Sequence, residues 1–148
     1  MFDRKPSSSQ LTFTNEIGSG SKVLGNLEGN GNIRVLGNFV GNITEASGSK
    51  ATLVIDKDGV LTGDLHYTNL IVAGTIEGSI TVDERIEVYP SALIHGDIRY
   101  KSIDIHPNAR VNGLLTCSVL DKSALKPSDV IAFDLTKKIA SWAYKVNY

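Results

Sequence analysis

Cysteine is almost missing from this chain. Cys117 stands alone, so no internal disulfide and no thiolate metal cage can form. A single thiol points to a reducing, cytosolic compartment. Proline is scarce, with 4 residues against 14 glycines, and there is one tryptophan. Few prolines with many glycines imply many tight turns between short strands. No run of about 18 apolar residues occurs, so a membrane-spanning helix is not expected. No charged segment followed by an apolar core marks a signal peptide.

Charge of one sign is also lacking: 15 basic residues meet 16 acidic ones. The distribution is uneven. Residues 1–12 hold Arg4 and Lys5 against Asp3. Residues 13–116 carry 8 basic and 12 acidic side chains, and residues 117–148 carry 5 and 3. An acidic body with basic ends argues against nucleic acid as a partner. It leaves the ends free to meet an anionic surface.

What is present is a repeat. A glycine recurs with an apolar residue two positions before and two after it: Val23-Leu24-Gly25-Asn26-Leu27, Phe39-Val40-Gly41-Asn42-Ile43 and Leu61-Thr62-Gly63-Asp64-Leu65. Ile76-Glu77-Gly78-Ser79-Ile80, Ile94-His95-Gly96-Asp97-Ile98 and Val111-Asn112-Gly113-Leu114-Leu115 complete the set. The glycines are 16, 22, 15, 18 and 17 residues apart. Short alternating segments precede five of them: Ile33-Arg34-Val35, Leu53-Val54-Ile55, Leu70-Ile71-Val72, Ile86-Glu87-Val88 and Ile103-Asp104-Ile105. Period-two alternation marks a strand with one buried face.

Strands this short cannot stand alone. A run of about 17 residues can make one three-sided coil, and stacked coils pair like strands in parallel and align like side chains. The expected fold is all-β: a single-stranded, triangular parallel β-helix of about six turns over residues 13–120. At about 4.8 Å per stacked strand it forms a rod of roughly 29 Å. The 22-residue spacing marks an insertion, and Thr44 to Thr52 reads as a surface loop.

These columns, together with the G-x-I motif and the opening Glu28-Gly29-Asn30-Gly31-Asn32-Ile33-Arg34-Val35-Leu36-Gly37, resemble the bactofilins, polymer-forming bacterial cytoskeletal proteins. The resemblance covers about residues 16–116. The start, Met1-Phe2-Asp3-Arg4-Lys5, is similar to the short membrane-targeting segment of many bactofilins. The resemblance implies a right-handed β-helix that polymerises end to end, without nucleotide or other cofactor, into non-polar filaments. It further implies location on the inner face of the plasma membrane and a scaffold role for cell-shape or cell-wall machinery. Met1, Phe2, Arg4 and Lys5 are then the membrane-binding candidates, within a flexible tail over 1–12. The chain departs from the family where Val111 stands in place of an aromatic residue.

Physics points to the same ends. Each end of a β-helix is a sheet edge on three sides plus an apolar cross-section, which monomeric proteins must cover. The candidate polymer interface is Leu11, Phe13, Ile17 and Val23 at one end and Val111, Leu115, Val119 and Leu120 at the other. A cap made by Leu11-Thr12-Phe13 is the alternative at the first end. Over 121–148 the pattern changes: Ile131, Leu135, Ile139, Trp142 and Val146 form a helical stripe after Pro127. An amphipathic helix there covers the β-helix or meets membrane or a partner. A strand over 131–135 is the other reading.

No residues assemble into a convincing catalytic set, and no enzyme activity or metal is expected. Left-handed β-helix acyltransferases and γ-type carbonic anhydrases keep strict hexapeptide spacing, which turns of 15 to 22 residues do not. His66, His95 and His106 all fall on outward positions, so they do not converge on zinc. Gly18-Ser19-Gly20-Ser21-Lys22 lacks the P-loop pattern and suits a corner. Asp56, Asp58, Asp64 and Asp97 read as solvation, with a sugar-binding rim as the sharper alternative. Asn42-Ile43-Thr44 matches a glycosylation sequon, but Ile43 belongs to a core column. The rival to a polymer subunit is a non-polymeric β-helix scaffold that binds a protein or polysaccharide.

Overall fold

The computed structural model of the chain describes residues 11–118. The predicted carboxy-terminal helix, Val119, Leu120 and the Met1–Lys5 segment lie outside the described residues. Within them the chain is all-β, and every strand pairing is parallel. It winds as a solenoid of about six turns, in agreement with the expectation from the repeat.

Two ladders build it. The first runs through Lys22–Leu24, Asn38–Val40, Val60–Thr62, Thr75–Glu77, Leu93–His95 and Arg110–Asn112. The second holds the remaining strands, beginning with Asn15–Ile17 and Leu27–Gly29 in the first turn. In the middle turns it contains two long strands, Leu65–Val72 and Ile80–Val88, which bend round a corner without interruption. The alternating pattern suggested strands of three to five residues throughout. A register shift between Val82 and Arg85 lets Ile80–Val88 continue where other turns break.

The four predicted columns appear as register pairs. Ile33 pairs with Leu53, Leu53 with Leu70, Leu70 with Ile86 and Ile86 with Ile103. Val35, Ile55, Val72, Val88 and Ile105 stack beside them. Phe39, Leu61, Ile76, Ile94 and Val111 fill the first ladder's inner face. Ile43, Leu65, Ile80 and Ile98 form the last column. β-Branched and aliphatic side chains suit such a ladder, because identical shapes stack without gaps.

The recurrent glycine has a steric cause. Gly25, Gly41, Gly63, Gly78, Gly96 and Gly113 all have φ between 126° and 155°. A Cβ on Gly41, Gly63, Gly78, Gly96 or Gly113 would collide with the carbonyl oxygen of the glycine one turn before. The corner therefore needs both the backbone freedom and the missing side chain. At four corners the side chain after the glycine links one turn to the next. Asn42 N–H donates to Asn26 Oδ1 at 3.0 Å, Asp64 N–H to Asn42 Oδ1 at 2.9 Å and Ser79 N–H to Asp64 Oδ1 at 2.9 Å. Leu114 N–H donates to Asp97 Oδ1 at 3.0 Å.

The insertion is shorter than the sequence suggested and is tied down. Thr44 and Glu45 are still in strand Ile43–Glu45, and Thr52 opens strand Thr52–Ile55. Glu45 holds the loop between them. One carboxylate oxygen accepts from Ser49 Oγ at 2.9 Å and Ala51 N–H at 2.8 Å, the other from Thr68 N–H at 2.8 Å and Thr68 Oγ1 at 2.5 Å.

Candidate assembly surfaces

The two ends differ from the middle in burial. Val35, Phe39 and Ile43 are fully buried, whereas Ile17, Val23 and Leu27, one turn earlier, are half-exposed. At the other end Ile103 and Val111 are half-buried. Among the described residues, the large hydrophobic side chains that stand out in solvent are Leu24 at 71%, Leu114 at 70%, Leu115 at 43% and Ile105 at 40%. Leu24 belongs to the first turn and the other three to the last. Among the described residues, strands Asn15–Ile17, Lys22–Leu24 and Leu27–Gly29 pair on one side only. Among the described residues, Arg110–Asn112 does the same at the other end. Among the described residues, one-sided strands and exposed apolar side chains thus coincide in the terminal turns, a combination that monomeric sheet proteins avoid.

Of the predicted interface residues, Ile17, Val23, Val111 and Leu115 sit in these terminal turns. Leu11 and Phe13 are placed elsewhere. Leu11 borders a hollow on the outer face of the second ladder with Thr52, Leu70, Ile71, Arg85 and Glu87. The Phe13 ring lies 5.7 Å from the Arg34 guanidinium. The segment before the first strand therefore runs along a side. Sequence reasoning missed Leu24, Leu114 and Ile105. Leu114 carried a visible signal, because it occupies the corner position that Asn26, Asn42, Asp64 and Asp97 hold in other turns.

The outer faces carry ion pairs. Arg34 Nε donates to Asp56 Oδ2 at 2.7 Å and its Nη1 to Glu16 Oε2 at 3.0 Å. The hydrogen bond that Arg34 donates to Asp56 is the main reason that the Arg34 pKa is raised. Burial alone would raise Asp56, but the Lys57 N–H and the Arg34 guanidinium outweigh it, so Asp56 lies below its ordinary value. Arg85 Nη2 meets Asp104 at 3.1 Å.

The three histidines lie on the outside with separate partners: His66 Nε2 with Asp83 at 2.9 Å, His106 Nε2 with Glu87 at 3.0 Å and His95 Nδ1 near Asn112 at 3.3 Å. Glu87, Asp104 and His106 offer one donor atom each within 4.8 Å of one another. Arg85 already supplies a positive charge to Asp104, so the arrangement reads as an ion-pair network. Asp64 and Asp97 serve the corner ladder and Asp56 the Arg34 pair. Gly18 to Ser21 form a turn, with Ser21 N–H donating to the Gly18 carbonyl at 3.1 Å.

Comparison with known proteins matches this ladder to one family. The bactofilin family, described as polymer-forming cytoskeletal, matches residues 15–116, more than half of the chain. The chain belongs to the bactofilin family. It is similar to bactofilin BacO of Myxococcus xanthus, 27% identical over 97 residues, which are 66% of this chain and 74% of BacO. It is also similar to bactofilin BacP of the same organism, 28% identical over 97 residues, where the match spans 39% of that relative's length. No solved structure matches. The matched range in this bactofilin covers both terminal turns and stops inside strand Leu115–Cys117. Among its described residues, no helix is long and apolar enough to cross a membrane.

Proposed function

We propose that this bactofilin is a non-catalytic filament subunit that assembles end to end through its first and last turns, without nucleotide. In this reading the filament lies on the cytoplasmic face of the plasma membrane, held by Met1, Phe2, Arg4 and Lys5, and serves as a scaffold for cell-shape or cell-wall proteins. The observation that carries it is the coincidence at both ends of one-sided strands with exposed Leu24, Ile105, Leu114 and Leu115. A second subunit stacked on an end would remove apolar side chains of the terminal turn from water. Membership in a polymer-forming family supports the same reading.

As a single copy, Phe2 beside Arg4 and Lys5 is weak anchorage, since stable attachment usually needs two signals. Repetition along a filament multiplies it. Electron microscopy of the purified full chain tests the core of the proposal. Filaments are expected in buffer free of nucleotide and metal, and particles of one or two subunits at high concentration would refute it.

A further inference from the structure

Two strands break the alternation of their ladder. On the outward side of the second ladder, register aligns Glu16, Arg34, Val54, Ile71, Glu87 and Asp104. Four of these are charged, and Val54 and Ile71 are not. Outward residues on a solvated sheet face are normally exposed, yet Val54 is 1% and Ile71 is 7% exposed. Something covers them from outside.

The described residues show part of the cover. Leu11 shares the hollow with Ile71, Arg85 and Glu87. Asn32 Nδ2 donates to the Thr12 carbonyl at 2.9 Å, and the Thr14 N–H donates to the Asn32 carbonyl at 2.8 Å. Phe13 lies against Arg34. From the first-turn strand at Asn15, the chain runs backward past the Arg34 turn to the turns of Ile71 and Glu87. That path crosses about three turns, or roughly 14 Å of stack. It continues a polar main-chain anchor at Asn32 with an apolar anchor at Leu11.

We infer that the outer face centred on Val54 and Ile71 is an interaction surface, and that its occupant is the amino-terminal segment of the same chain, docked as a strap. The strap leaves the first-turn edge clear for another subunit. The docking does not rest on the proposed membrane role.

Amide hydrogen exchange of the full chain, followed by mass spectrometry at dilute and assembling concentrations, tests this. Slow exchange is expected at Thr14 in dilute protein. Leu11→Asp and Ile71→Ser, both outside the core columns, should each speed exchange of peptides spanning 11–14 at least tenfold while leaving peptides around Val88 unchanged. Unaltered exchange over 11–14 in both variants would overturn the inference. Protection that appears only at assembling concentrations would place the segment on a second copy and would overturn it equally. Neither readout needs a filament or a membrane, so this result stands apart from the fate of the polymer reading.

Discussion

The hydroxyl of Tyr67 donates a 2.7 Å hydrogen bond to the carbonyl oxygen of Gly31, which lies 36 residues earlier in the chain. Tyr67 is fully buried, and its oxygen closes the corner that the Glu45 loop also reaches through the bond from Gly31 N–H to Ser49 Oγ at 3.1 Å. Burial, helped by the nearby Glu45 charge, pushes the Tyr67 pKa up to about 12. A raised folded pKa means that the folded state holds its proton longer than the unfolded chain. The associated stability is complete below the ordinary value near 10 and is lost as pH rises from 10 through 12. Tyr67→Phe should cost about 1 kcal/mol at neutral pH. It should also flatten the alkaline fall in melting temperature relative to the parent, as thermal unfolding followed by circular dichroism across that range would report.

Glycine corners should not be equal. A Cβ at Gly78 meets the Gly63 carbonyl at φ 147°, whereas Gly48, at φ 85°, has nothing within 4 Å. Gly78→Ala should therefore destabilise by about 3 kcal/mol, combining backbone strain with displacement of the neighbouring turn. Gly48→Ala should cost about 1 kcal/mol, from strain alone. Urea unfolding of both variants measures the gap; similar midpoints would contradict the stacking argument.

Assembly and folding should separate at the ends. Leu114 is 70% exposed, so Leu114→Asp should change stability by no more than about 0.5 kcal/mol. If Leu114 is buried between subunits, the lost burial of about 2 kcal/mol and the new charge should raise the critical concentration for filaments more than tenfold. Sedimentation of filaments at several concentrations reads this directly. Leu24→Asp provides the matching test at the first turn.

Arg34 and Asp56 give an acid-side prediction. Asp56 has a lowered folded pKa, so its contribution is present above the ordinary carboxylate value and is lost as pH falls through the lower folded one. Both groups are partly exposed, so Asp56→Asn should cost less than about 1 kcal/mol at pH 7. Unfolding midpoints of variant and parent should converge in acid. A constant difference from neutral to acid pH would assign the effect to packing.

Membrane attachment should depend on the first residues. Phe2→Glu replaces the proposed aromatic anchor with a charge and should release filaments from the membrane in cells, with assembly in solution retained. Fluorescence imaging of cells that express the variant checks this, and unchanged membrane localisation would refute the role given to Phe2.

Much of the architecture was legible because a solenoid repeats its own constraints. Each turn must place an Ile, Leu, Val or Phe at the same four inward positions and a glycine at the same corner, so the registers follow from alignment alone. The Leu53-Val54-Ile55 and Leu70-Ile71-Val72 strands read as having one buried face, but their middle residue is apolar where Arg34, Glu87 and Asp104 are charged, a signal of a covered outer face that the alternation alone does not give. That signal names a covered site without naming its cover. The long strands Leu65–Val72 and Ile80–Val88 left no mark, because a continuous bend and a broken corner bury similar side chains.

By itself the sequence determined the inward columns, the glycine corner, the number of turns and the existence of two ends, all of which follow from local periodicity. Only the tertiary structure decided where Leu11 and Phe13 go, how Glu45 holds the insertion and which apolar residues remain in solvent at the ends. Those outcomes depend on contacts between segments separated by many residues, whose geometry no local period encodes. Leu27 and Leu65 hold the same place in the repeat and the same column, yet Leu65 is buried and Leu27 only half-buried, because Leu65 has turns stacked on both sides and Leu27 sits in the first turn.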